Sequence, residues 1–170
     1  MFTAGQLVVY GGEGVCRVEG VGPSHIPGAD KERLYYTLSP FWRTGQVLTP
    51  VDTRVLMRPI LTREEAQELI AQLDSIRPEL PAANSPRAIK EHYQQIVASY
   101  DCRRTVGLIR GITAKRRRAL EHGKNASQLD ERYLKRAEDQ LYGELAAALE
   151  LDCKAVADYI RRTHPMWPEI

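Results

Sequence analysis

Cysteine and bulky aromatics are scarce in this chain: among 170 residues there are three Cys, two Trp and two Phe. Cys16, Cys102 and Cys153 are odd in number and far apart, which excludes a disulfide framework and a CxxC metal or redox pair; buried, reduced side chains are the expectation. His25, His92, His122 and His164 are dispersed with no HxH or HExxH arrangement, so no metal or other cofactor is expected. No apolar run reaches the roughly 18 residues of a membrane span. The opening MFTAGQLVVY has no basic stretch ahead of an apolar one, so a cytoplasmic protein is expected. An excess of one charge is also missing overall, with 24 Lys and Arg against 22 Asp and Glu. The balance is uneven, however: residues 1–80 carry 8 basic and 10 acidic groups, and residues 81–170 carry 16 and 12. An acidic partner is expected at the second half.

What is present falls into two periodicities. Residues 7–10, 15–21, 32–38 and 46–51 are β-branched or aromatic runs separated by glycine and proline, with a short further strand at 54–57. Curling five such strands into a small barrel gives them one shared core. Beyond Leu61, Thr62 and Glu65 form a capping box ahead of Ala66, Leu69, Ile70 and Leu73, which predicts a helix ending near Ser75. Pro78 to Pro86 is a connector, and the domain junction falls either there or before Thr62. Helical patterns follow over 87–100, 103–120, from Ser127 through Ala148, and over 152–162. The fold class is therefore α+β with two domains, a small β-barrel over 1–60 and an all-α domain over 61–163, with 164–170 as a tail.

Catalysis finds no support. The segment Tyr10 to Val15 (YGGEGV) lacks the GK[ST] ending of a phosphate loop and leads into a strand rather than a helix, so its glycines read as a tight turn. No carboxylate pair, nucleophile elbow or helper histidine is apparent, and a non-enzymatic role is expected. The tyrosines, Phe41 and Trp42 of the barrel serve its core, line a cage for a methylated amine, or accompany an exposed edge strand that pairs with a partner's sheet.

The concentrated feature is Cys102 to Leu120, which contains seven basic residues and no acid. On a helix, Arg103, Arg110 and Arg117 fall nearly in line with Arg104, Lys115 and Arg118 beside them, opposite Val106, Leu108, Ile109, Ile112 and Leu120. That face suits DNA phosphates. Two other readings stand beside it: a merely solvated face, and internal pairing with Asp130, Glu131, Glu138 and Asp139 of the next helix. Gly107 and Gly111 weaken the helix and permit close backbone approach.

The order of residues resembles the CarD/CdnL/TRCF family of bacterial RNA polymerase-interacting proteins. It does so through Phe2, Gly5, Val8, Val9, Tyr10, Gly14, Val15, Val18 and Glu19, then Ile26, Gly28, Tyr35 to Leu38, Val47, Pro50, Val51, Arg58 and Ile60. In the helical part Val106, Ile109 and Arg110 are similar, as are Ala137, Leu141, Glu144, Leu145 and Ala146. Matching along nearly the whole chain favours a stand-alone CarD-like factor over a module within a repair translocase. The resemblance implies a Tudor- or SH3-like barrel that docks on the RNA polymerase β subunit and a helical domain that contacts promoter double-stranded DNA at the upstream edge of the melted region. It further implies a nucleoid-associated, non-catalytic regulator of open-complex lifetime. Departures are Gly11, Gly12 and Glu13 after the first Tyr of the pattern, and Ser24 and Leu48 where relatives carry Arg. Docking then uses Tyr36, Gln46, Leu48 and backbone pairing, or is weaker than in relatives. Ile89, followed by Tyr93, aligns with the Trp that wedges against DNA bases in some relatives, which makes Ile89 and Tyr93 wedge candidates, with a place in the core the other reading of Ile89. The alternative is a general DNA-binding adaptor with a different protein partner.

Overall fold

The computed structural model describes residues 1–168, which divide into two compact units, the first spanning Met1–Ile60 and the second beginning at Leu61. The first is a five-stranded antiparallel sheet of β1 (Leu7–Tyr10), β2 (Gly14–Pro23), β3 (Leu34–Pro40), β4 (Val47–Pro50) and β5 (Met57–Pro59). Its order is β4-β3-β2-β1-β5, so β4 and β5 are its two edges. The last strand lies three residues later than the sequence pattern places it. Gly12 and Gly14, at φ of +85° and +79°, make the turn that joins β1 to β2 in the YGGEGV segment.

Alternation along the strands sends Val8 and Tyr10 of β1, Cys16 and Val18 of β2, and Tyr36 and Leu38 of β3 into one core. Val47 of β4 and Met57 of β5 pack against the same cluster. Strands at opposite ends of a sheet reach one core only if the sheet curls. The extra residue at Glu19, between the Val18↔Leu38 and Gly20↔Thr37 pairs, provides a bend. The hydroxyls of Tyr10 on β1 and Thr49 on β4 are hydrogen-bonded at 3.0 Å although those strands are not neighbours in the sheet.

The second unit holds α1 (Arg63–Ala71), α2 (Pro86–Ser99), α3 (Cys102–Glu121), α4 (Gln128–Leu149) and α5 (Cys153–Thr163), with a single 3-10 turn at Leu73–Ser75. Each helix begins at a side-chain cap that the sequence supplies: Thr62, Ser85, Asp101, Ser127 and Asp152 each accept a hydrogen bond from a backbone N–H of the first turn. The Thr62 cap is the reciprocal box with Glu65. Pro86 opens α2 where its missing N–H costs nothing.

The core lies between α3 and α4, whose Leu108, Ile109, Ile112, Leu141 and Leu145 are all fully buried. Glu144 is 2% exposed within the apolar end of α4. It accepts from the backbone N–H of Leu61 at 3.0 Å and from the thiol of Cys102 at 3.2 Å, fixing the start of the unit and the start of α3 to α4. The segment after α5 also packs: Trp167 is 4% exposed and donates its indole N–H to the Tyr142 hydroxyl at 2.7 Å. Of the cysteines, Cys16 is buried, whereas Cys102 and Cys153 are half-buried. No helix among the described residues is long and apolar enough to cross a membrane.

Candidate nucleic-acid interface

The basic helix α3 is not the one-sided element its sequence pattern suggests. From Thr105 to Ile109 and from Gly111 to Thr113 it is buried all round. The cause is the connector after α1, which crosses α3 at its two glycines. Glu79 donates its backbone N–H to the Gly107 carbonyl at 2.8 Å, and a Cβ on Gly111 would stand 2.5 Å from the Glu79 carbonyl oxygen. At 100° per residue Gly107 and Gly111 fall inside the arc of Arg103, Arg104, Arg110 and Arg118. The protein's own backbone therefore occupies the middle of the predicted DNA face.

Three of the predicted arginines hold that connector. Arg103 donates to the side-chain oxygen of Gln72. Arg104 pairs with Glu79 at 2.7 Å, which raises the guanidinium pKa further. Arg110 donates to the carbonyls of Asp74 at 3.0 Å, Leu73 at 3.4 Å and Ile76, which a 3-10 turn leaves without helical partners. Lys115 pairs at 2.9 Å with Asp130, a carboxylate only 3% exposed, and Arg116 lies 3.5 Å from Glu131. Internal pairing with the next helix, one of the readings the sequence leaves open, accounts for these two. Arg117 and Arg118 are exposed at the end of α3, beyond the crossing. Leu120, assigned to the apolar side by periodicity, is 61% exposed because α3 outruns its packing there.

The two wedge candidates part company. Tyr93 is fully buried, its ring 5.5 Å from that of Tyr133 and its hydroxyl donated to Asp130 at 2.8 Å, so its side chain belongs to the core. Burial and the Asp130 carboxylate push its pKa up. Ile89, one turn earlier on α2, is half-buried.

In the sheet, Tyr36 is 3% exposed and its hydroxyl accepts the Phe2 backbone N–H at 3.0 Å, so its side chain also supports a core rather than a surface. Gln46 is exposed and Leu48 half-exposed, on and beside the edge strand β4. Val51 donates its N–H to Leu34 on β3, and bonding direction alternates along a strand, so Leu48 turns its N–H and C=O to the free edge. Ser24 is buried, its hydroxyl accepting from the Ile26 N–H at 3.1 Å.

Two cations that the charge pattern did not single out lie on α4. The guanidiniums of Arg132 and Arg136 stand 5.5 and 5.3 Å from the centroid of the Tyr133 ring. The alternation of acids and bases along α4 conceals them in the sequence. Among the described residues no group of three or more His, Cys, Asp or Glu is placed to hold a metal ion.

The family model described as the CarD-like/TRCF RID domain matches residues 2–61, which is the β unit. No curated protein matches the chain. The first unit, whose strands and turns carry the matched pattern, is thus a CarD-like/TRCF RID domain, the domain of a family of RNA polymerase-interacting transcription factors.

Proposed function

We propose that the protein is a non-catalytic transcription regulator that holds RNA polymerase with one unit and promoter DNA with the other. The observation that carries this reading is the CarD-like/TRCF RID match over the β unit. In this reading residues 1–60 are a Tudor-like barrel that docks on the polymerase β subunit. The open edge of β4, with Gln46 and Leu48, adds to a strand of that partner through backbone hydrogen bonds. Such docking depends little on side-chain identity, which accommodates Ser24 and Leu48 at positions where relatives carry Arg.

The helical unit supplies the DNA contact at the upstream edge of the melted region. Arg117 and Arg118, exposed at the end of α3, take phosphates, and half-buried Ile89 at the start of α2 is the apolar group for an unstacked base step. Arg103, Arg104, Arg110 and Lys115 stabilise the unit that presents them. Binding both partners at once favours the promoter conformation in which the two sites are spanned, shifting its population with no bond made or broken. The protein then acts in the cytoplasm, on the nucleoid.

The test is equilibrium binding of labelled full-length protein to polymerase from its own host, alone and on a promoter complex, across a salt series. Binding to polymerase alone, with added salt-sensitive affinity on the promoter complex, is expected. Binding to DNA without binding to polymerase would replace this reading with the adaptor.

A further inference from the structure

We propose that Arg132 and Arg136 on α4 form a phosphate clamp for the backbone of double-stranded DNA, organised by the buried ring of Tyr133. This deepens the DNA half of the function proposed above and rests on it. Both residues are exposed, and neither makes an ion pair among the described residues. Of the acids nearby along the helix, Asp130 is engaged by Lys115, Glu131 by Arg116 and Asp139 by Lys135, and Glu138 is buried. Arg132 and Arg136 are four residues apart, a spacing at which like charges repel on a helix. A pair kept in that arrangement for the helix alone would be improved by an acid at either position.

The ring supplies the order. Tyr133 is 2% exposed and packs on Tyr93 at 5.5 Å, so it is a fixed platform rather than a mobile surface group. Both guanidiniums lie within 5.5 Å of its centroid and so are held no more than about 11 Å apart. Free arginines must be ordered when they bind; these are restrained beforehand, which lowers the cost of binding. A planar guanidinium also matches two oxygens of a phosphodiester, which a lysine ammonium does not. Because Tyr93 belongs to α2, the tilted ring contact ties this platform to the helix that carries Ile89. An acidic protein segment is the competing partner, and the fork geometry together with the basic excess of residues 81–170 favours the nucleic acid.

Full-length Arg132→Ala/Arg136→Ala and Arg132→Lys/Arg136→Lys variants, with thermal melts matching the parent, are titrated onto a fluorescein-labelled promoter duplex across a salt series. The alanine pair is expected to weaken binding about tenfold or more and to reduce the slope of log K against log salt by about 1.8, as loss of two phosphate contacts requires. The lysine pair is expected to keep the slope and lose about threefold to tenfold in affinity. Parental affinity and slope in the alanine pair would overturn the clamp while leaving the DNA reading intact. A lysine pair equal to the parent would overturn the role of the ring. Loss of polymerase binding with unchanged DNA binding would overturn the proposal in favour of an acidic protein surface. A parent that does not bind the duplex at all would remove both the clamp and the DNA half of the proposed function.

Discussion

Glu138 sits on α4 with 5% exposure, and its Oε1 has no hydrogen-bond partner among the described residues. Burial pushes its pKa up to about 7, with Asp139 and Glu131 adding to the rise and Arg116 and Lys135 opposing it. The sign of the consequence follows from proton binding. Between the ordinary value of about 4.5 and about 7 the folded chain holds a proton that the unfolded chain has released. Stability contributed by the neutral carboxyl is therefore complete below about 4.5 and is lost as pH rises through about 7. Glu138→Gln keeps the shape and removes the titration. At pH 8 it is expected to exceed the parent in unfolding free energy by about 1–3 kcal/mol, and at pH 4 to match it. Denaturant unfolding at the two pH values measures the difference, and an identical gap at both would show that this carboxyl is not the titrating group.

At the level of elements, the crossing of α3 by the chain that follows α1 decides which basic residues are free. Two opposed effects meet at Gly111. Alanine in its place improves helix propensity by about 1 kcal/mol. Its methyl would also stand 2.5 Å from a backbone carbonyl oxygen and 2.9 Å from Leu80 Cγ, and backbone held by Arg104 and Arg110 cannot retreat cheaply. Overpacking of this kind costs about 1–3 kcal/mol or more, so Gly111→Ala is expected to lower the melting temperature rather than raise it. The same crossing explains what was legible in the sequence. Strands, helices and caps depend on neighbours a few residues away, so the Thr62–Glu65 box and the pattern opening at Ser127 mark their helices correctly. What covers a helix depends on residues about 30 positions distant, as for Glu79 on Gly107 and Gly111. The clue was present, since the two glycines lie inside the basic arc, where a free charged face has no use for them. Arg132 and Arg136 were hidden for the converse reason: Glu131 and Asp139 look like their partners until the structure assigns those acids to Arg116 and Lys135.

For the whole molecule, the proposed function assigns different contacts to the two units, and a bivalent factor should lose them independently. Leu48→Pro removes the N–H that β4 turns to its free edge without removing a bond to β3, because Leu48 bonds away from that strand. It is expected to weaken binding to polymerase alone by about tenfold, close to 1.4 kcal/mol, and to leave duplex binding unchanged. The Arg132→Ala/Arg136→Ala pair should show the reverse selectivity. If, as proposed, one chain makes both contacts on a polymerase–promoter complex, each variant weakens binding there, since the second contact forms at the effective concentration set by the first. The two sets of substitutions share no partner and sit in separate units. Their free-energy losses on the complex should therefore add to within about 0.5 kcal/mol when combined. Anisotropy titrations of the parent, the two variants and their combination onto the complex measure this. If the combination costs no more than the larger single loss, the contacts are not held simultaneously, and the spanning mechanism gives way to one in which polymerase and DNA are bound in turn.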